Sequence, residues 1–115
     1  MPYIDVKVTS RLSALEKDTL KSKLGELIAI LPGKSEAVLM VCISDDSTIY
    51  FSGQEKEKAA FINIKLFKES GFEFKAKFTE KVFEFFEKEL KITGDNIFLA
   101  FDEYNSWGFG GTLKK

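Results

Sequence analysis

Polar and apolar residues alternate from Tyr3 to Val8, the pattern of a strand with one buried face. Ser13-Ala14-Leu15-Glu16 then has capping-box spacing, with a hydroxyl and a carboxylate placed to satisfy the free amides of a helix start. Behind it Leu20, Leu24, Leu27, Ile28 and Leu31 recur at helical spacing, predicting an amphipathic helix of about five turns. Pro32-Gly33 stops it. Val38 to Ile43 is a continuous apolar run of strand length, Ser44 to Ser47 reads as a turn, and Thr48 to Phe51 as a short strand.

The pattern then recurs. Phe61 to Leu66 alternates like the first strand, Phe74, Phe78, Val82, Phe85 and Phe86 mark a second amphipathic helix ending near Lys91, and Thr93 to Asn96 leads into a strand from Ile97 to Phe101. Ile4 reappears as Ile62 and Leu39 as Phe98 at a nearly constant offset, so strand–helix–strand is written twice. Each such unit pairs its two strands in parallel beneath its helix. Two units side by side give four strands with both helices on one face. Ile4, Val6, Val8, Ile62 and Ile64 should face the helices. Tyr3, Asp5, Lys7, Phe61, Asn63 and Lys65 should lie on the bare face, where subunits can associate.

At 115 residues the chain is one domain by length, and such a domain buries roughly two-thirds of its unfolded surface without staples. Net charge is −1 with no concentrated basic face, which argues against nucleic acid. Cys42 is the only cysteine and there is no histidine. Zinc sites built from those residues, thiol redox pairs and histidine-based triads or dyads are excluded. The opening Met1-Pro2-Tyr3-Ile4-Asp5 does not read as a signal peptide, and Leu27 to Pro32 is too short to span a bilayer. The expectation is a cytoplasmic protein, with release by a route needing no signal peptide left open. Alternation within its apolar run makes Cys42 read as a buried small hydrophobe. Carboxylates, lysines, hydroxyls, backbone amides and the terminal amine remain for chemistry.

Several local features point the same way. Met1-Pro2 runs directly into a strand; Leu31-Pro32-Gly33-Lys34 closes the first helix; Phe51-Ser52-Gly53 forms a turn; Asn96-Ile97-Phe98 opens the last long strand; Trp107-Gly108-Phe109-Gly110-Gly111-Thr112 closes the chain. In this order and spacing, over essentially all 115 residues, the chain resembles the macrophage migration inhibitory factor and D-dopachrome tautomerase family of the tautomerase superfamily. The resemblance implies an α+β tautomerase-like fold over residues 1–115: two βαβ repeats in a four-stranded mixed sheet, two helices on one face, and short C-terminal hairpin strands. It also implies a homotrimer, an α-keto acid substrate and no cofactor or metal.

The same resemblance implies that Pro2 is the catalytic base once Met1 is removed, and that Lys34 faces it and binds the substrate carboxylate. A backbone amide near Phe67, or Leu66 if the one-residue insertion after Gly53 is placed differently, would join Lys34 in holding the carboxylate and carbonyl. Tyr3, Val38, Phe98, Ala100 and Phe109 would line the pocket. Physical chemistry supports the first two roles. A terminal amine titrates near ~7.7–8.0, and an apolar pocket and a nearby cation both lower that value, toward what proton abstraction beside a carbonyl requires. Taken singly, each residue also has a plainer reading. Proline at position two merely permits removal of Met1, Lys34 suits a helix C-terminus, and the aromatics suit a core or an interface.

The departures are specific. The family's pocket tyrosine is Phe98 here, its asparagine is Ala100, and its hairpin tryptophan is Phe109. The C-x-x-C of the cytokine is absent, which removes thiol oxidoreductase chemistry. Two functions follow as expectations: keto–enol tautomerisation of an aromatic α-keto acid such as phenylpyruvate, or a cytokine-type protein-binding module with a vestigial pocket. Intact mass and an enol-ketonisation assay distinguish them.

Overall fold

The computed structural model describes residues 1–115. Its strands and helices run β1 (Pro2–Val8), α1 (Ala14–Leu27), β2 (Met40–Ser44), β3 (Tyr50–Phe51), β4 (Gln54–Glu55), β5 (Ala60–Phe67), α2 (Phe72–Glu89), β6 (Ile97–Tyr104), β7 (Trp107–Phe109) and β8 (Thr112–Lys114). The main sheet has the order β2-β1-β5-β6. β1 pairs in parallel with β2, β5 in parallel with β6, and β1 antiparallel with β5. The two repeats therefore meet through their first strands. Both helices cover one face, as the twofold repetition of the sequence predicts.

Local chemistry explains the boundaries. At the start of α1 the Ser13 hydroxyl accepts from the Glu16 amide at 3.1 Å, while the Ser13 amide donates to the Glu16 carboxylate at 2.8 Å. Ser13→Ala should lower stability by about 1 kcal/mol in urea unfolding, with an unchanged denaturant slope. The helix is shorter than its apolar spacing suggests. Past Leu27 it tightens into a 3-10 turn over Ile28–Ile30, keeping Ile28 and Leu31 buried as the chain leaves toward Pro32. Val38 belongs to a second 3-10 turn, Glu36–Val38, so the following strand starts later than the apolar run does. Tyr50–Phe51 pairs with Gln54–Glu55 across Ser52-Gly53, both in positive φ. The short strand is thus half of a hairpin.

Ile4, Val6, Val8, Ile62, Ile64 and Leu66 are fully buried against Leu20, Leu24, Phe78, Val82 and Phe86. The α2 stripe is narrower than its phenylalanines suggest, because Phe74 is exposed and Phe85 only half-buried. Cys42 corrects a sequence expectation: it is exposed. On β2 it alternates with Val41 and Ile43, which pack on the core, and so shares the bare face with Met40. An apolar run on an edge strand does not have to be buried on both faces.

Candidate active site

Pro2 begins β1 opposite Leu66 of β5 and is buried. Its neighbour Tyr3 lies in register with Met40 on one side and Lys65 on the other. Beside them the 3-10 turn and the hairpin β7–β8 come close. The result is an open, largely apolar cleft of about 510 Å³, lined in part by Pro2, Tyr3, Val38, Lys65, Trp107 and Phe109. The hairpin is held to the sheet by aromatic packing of Trp107 on Phe67 and Tyr104, with ring centroids 6.4 and 6.0 Å apart. Gly110 and Gly111 both take positive φ, which lets so short a connection turn back.

Lys34, Leu66 and Phe67 do not themselves line this cleft. Gly33 at φ 77° turns the chain after Pro32, and the Lys34 ammonium donates to the Phe67 carbonyl at 3.1 Å. The expected substrate-binding group at residue 67 is a backbone amide; what faces Lys34 is instead the Phe67 carbonyl, which accepts and cannot donate to a substrate oxygen. The alternative, Leu66, has its side chain fully buried among the helices and could offer only backbone. The Met1 amine, one residue before Pro2, is held below its ordinary value by burial and next by the Lys34 cation. The Tyr3 phenol is raised, first by burial and then by the neighbouring Cys42 thiol.

Phe98 and Ala100 lie elsewhere. The β1–β5–β6 register sets Phe98 beside Phe61 and Lys7, near the far end of β1 from Pro2, about 17 Å away along the strand direction alone. There Phe98 is 56% exposed. Phe51 and Phe61 pack edge-on against its ring, with centroids 5.3 and 6.5 Å away. Ala100 pairs with Asn63 on the same bare face, and its carbonyl accepts from the Asn63 amide at 3.4 Å. Within one chain neither residue reaches the cleft.

Lys65 and Trp107 line the cleft without having been singled out in the sequence. Strand alternation already put Lys65 on the same face as Tyr3, but only the β1–β5 register sets them side by side. Its ammonium meets Asp102 and the Tyr104 hydroxyl, each at 3.2 Å. Those two bonds raise its pKa, the Tyr104 bond first, and keep it charged.

The sequence profile of the macrophage migration inhibitory factor (MIF) family matches residues 1–113. The chain belongs to the MIF family. Among solved structures it is similar to Leishmania major MIF2, with TM-score 0.89, 23% identity, and 99% of this chain and 97% of that one covered. It is also similar to the macrophage migration inhibitory factor-like protein of Entamoeba histolytica, with TM-score 0.83, 22% identity and 98% of each chain covered. A more distant likeness, at 15% identity and TM-score 0.82, is to Pt0534 inactivated by 2-oxo-3-pentynoate, with 95% of this chain and 93% of that one covered. No curated protein sequence matches the chain. The fold, including the mixed four-stranded sheet and the closing hairpin, is that of the family.

Proposed function

We propose that this MIF-family chain is a cofactor-independent keto–enol tautomerase acting on aromatic α-keto acids of the phenylpyruvate type. One observation carries the reading: Pro2 opens onto an apolar cleft whose adjacent terminal amine is driven toward its neutral form by burial and by Lys34. With Met1 attached, the Pro2 nitrogen is an amide and has no basic lone pair. Removal of Met1 makes it a secondary amine held by β1, in surroundings that favour the neutral base. That base takes the enol hydroxyl proton as the carbonyl forms and returns a proton to the adjacent carbon. Lys34 receives the carboxylate, backbone at Phe67 lies next to it, and Tyr3, Val38 and Phe109 supply the apolar wall.

In this reading the assembly is a homotrimer, and Phe98 and Ala100 belong to the cleft of a neighbouring subunit. The unpaired edges of β2 and β6 and the exposed Met40, Phe61 and Phe98 support association of some kind.

Lys34→Ala should raise KM for phenylpyruvate enol about tenfold, as expected when one charge-assisted contact is lost. Losing the cation also raises the pKa of the base, so the acid limb of the pH–rate profile moves to higher pH. An unchanged KM and an unchanged profile would remove Lys34 from the site.

A second reading, a protein-binding module with a vestigial pocket, is favoured by Phe98, Ala100 and Phe109, none of which offers a polar side-chain group. Intact mass together with enol ketonisation decides between the two. A chain lacking Met1 that does not accelerate ketonisation would leave the binding module.

A further inference from the structure

Glu103 breaks the pattern of the sheet. The other residues that β6 turns toward the helices, Ile97, Leu99 and Phe101, are apolar and pack in or on the core. Glu103 follows them in the same alternation, and its side chain is only 21% exposed. A carboxylate so placed needs partners. One oxygen accepts from the Ser70 backbone amide at 2.7 Å and the other from the Lys75 ammonium at 2.9 Å. Lys75 is itself 18% exposed and lies over the Phe101 ring.

These bonds fasten one short stretch of chain. After β5 the backbone reverses at Lys68, which holds φ 76° although it carries a side chain, a costly conformation that its surroundings must enforce. The Lys68 amide donates to the carbonyl of Tyr104, the residue after Glu103, at 2.7 Å. The reversal is thus tied to two successive residues of β6. Immediately before it stands the Phe67 carbonyl that accepts from Lys34.

We propose that Glu103 is a positioning residue for Lys34: by pinning Ser70 and Lys75 it fixes the reversal that turns the Phe67 carbonyl onto the Lys34 ammonium. The role rests on the tautomerase reading, in which Lys34 receives the substrate carboxylate. Burial pushes the Glu103 carboxyl up, but the Ser70 amide and Lys75, with a smaller contribution from the Lys34 charge, together hold it below its ordinary value. The same contacts would also serve to cap α2, whose own N-cap, Gly71, provides no side chain. The test must tell the two duties apart.

Glu103→Ala and Glu103→Gln are compared with wild type in the full chain freed of Met1, well below each melting temperature. The alanine variant should raise KM for phenylpyruvate enol about tenfold with kcat changed less than about twofold. Glutamine keeps an oxygen for the Ser70 amide and should recover most of that loss. The NMR signals of the Lys34 side-chain methylene next to nitrogen, recorded without substrate, should shift or broaden in the alanine variant and return in the glutamine variant. A lower melting temperature with unmoved KM and unmoved Lys34 signals would make Glu103 a helix cap alone and overturn the proposal. If wild type shows no tautomerase activity, the functional reading fails, and the Lys34 signals by themselves decide the role of Glu103.

Discussion

Ketonisation of phenylpyruvate enol is expected to fall by about 10²–10⁴-fold when Met1 is retained, the range a positioned general base contributes. Retention converts the Pro2 nitrogen into an amide with no basic lone pair, yet leaves β1, the cleft and Lys34 in place. Pro2→Gly, with Met1 removed, is the complementary change. It leaves a basic amine, but a primary one free to rotate about N–Cα, whereas the pyrrolidine ring of Pro2 fixes the direction of the nitrogen lone pair. Most of the activity should be lost while the fold is kept, since Pro2 is the first residue of β1 and glycine leaves its backbone carbonyl and the rest of the β1–β5 pairing in place. Circular dichroism and the melting temperature check the fold, and intact mass checks the N-terminus. Full activity in both proteins would rule out an N-terminal base.

Activity shared between two inactive variants is the second large effect. If each site combines Pro2 and Lys34 of one chain with Phe98 of the next, then Pro2→Gly and Phe98→Glu damage opposite sides of the same cleft. The glutamate puts a negative charge where an aromatic wall should meet a carboxylate substrate. Each variant alone should be nearly inactive. Trimers assembled at random from equal amounts of the two should regain about a quarter of wild-type activity, because a site is intact only when both contributing chains are undamaged there. Light scattering at micromolar concentration accompanies the assay and checks that each variant still assembles. The separation of Phe98 from Pro2 along β1 motivates the experiment. No recovery in mixed assemblies, or an active monomer near 13.0 kDa, would defeat the shared site.

The sequence by itself determined the two helices and the four long strands, and which face of β1 and β5 is buried. Period-two alternation in Tyr3 to Val8 and Phe61 to Leu66, the Ser13–Glu16 cap and the Pro32-Gly33 stop are local signals, written by steric and hydrogen-bonding rules that act within a few residues. Repetition of the unit was enough to predict four strands under two helices. Pro2 and Lys34 became candidates only through the family resemblance around them, since a proline at position two and a lysine after a helix stop each have a plainer reading when taken singly.

Tertiary structure decided what depends on register and on edges. Cys42 is exposed because β2 is an outer strand, which an apolar run does not reveal. Lys65 joins the cleft because β1 pairs antiparallel with β5 in one particular register, bringing it beside Tyr3. Phe98 and Ala100 fall outside the single-chain cleft for the same reason, since that register fixes their distance from Pro2. Glu103 could be read from sequence only as another charge near the end of a strand. Its partners, Ser70 and Lys75, come from a different stretch of chain, and no local pattern encodes a contact that long-range packing creates.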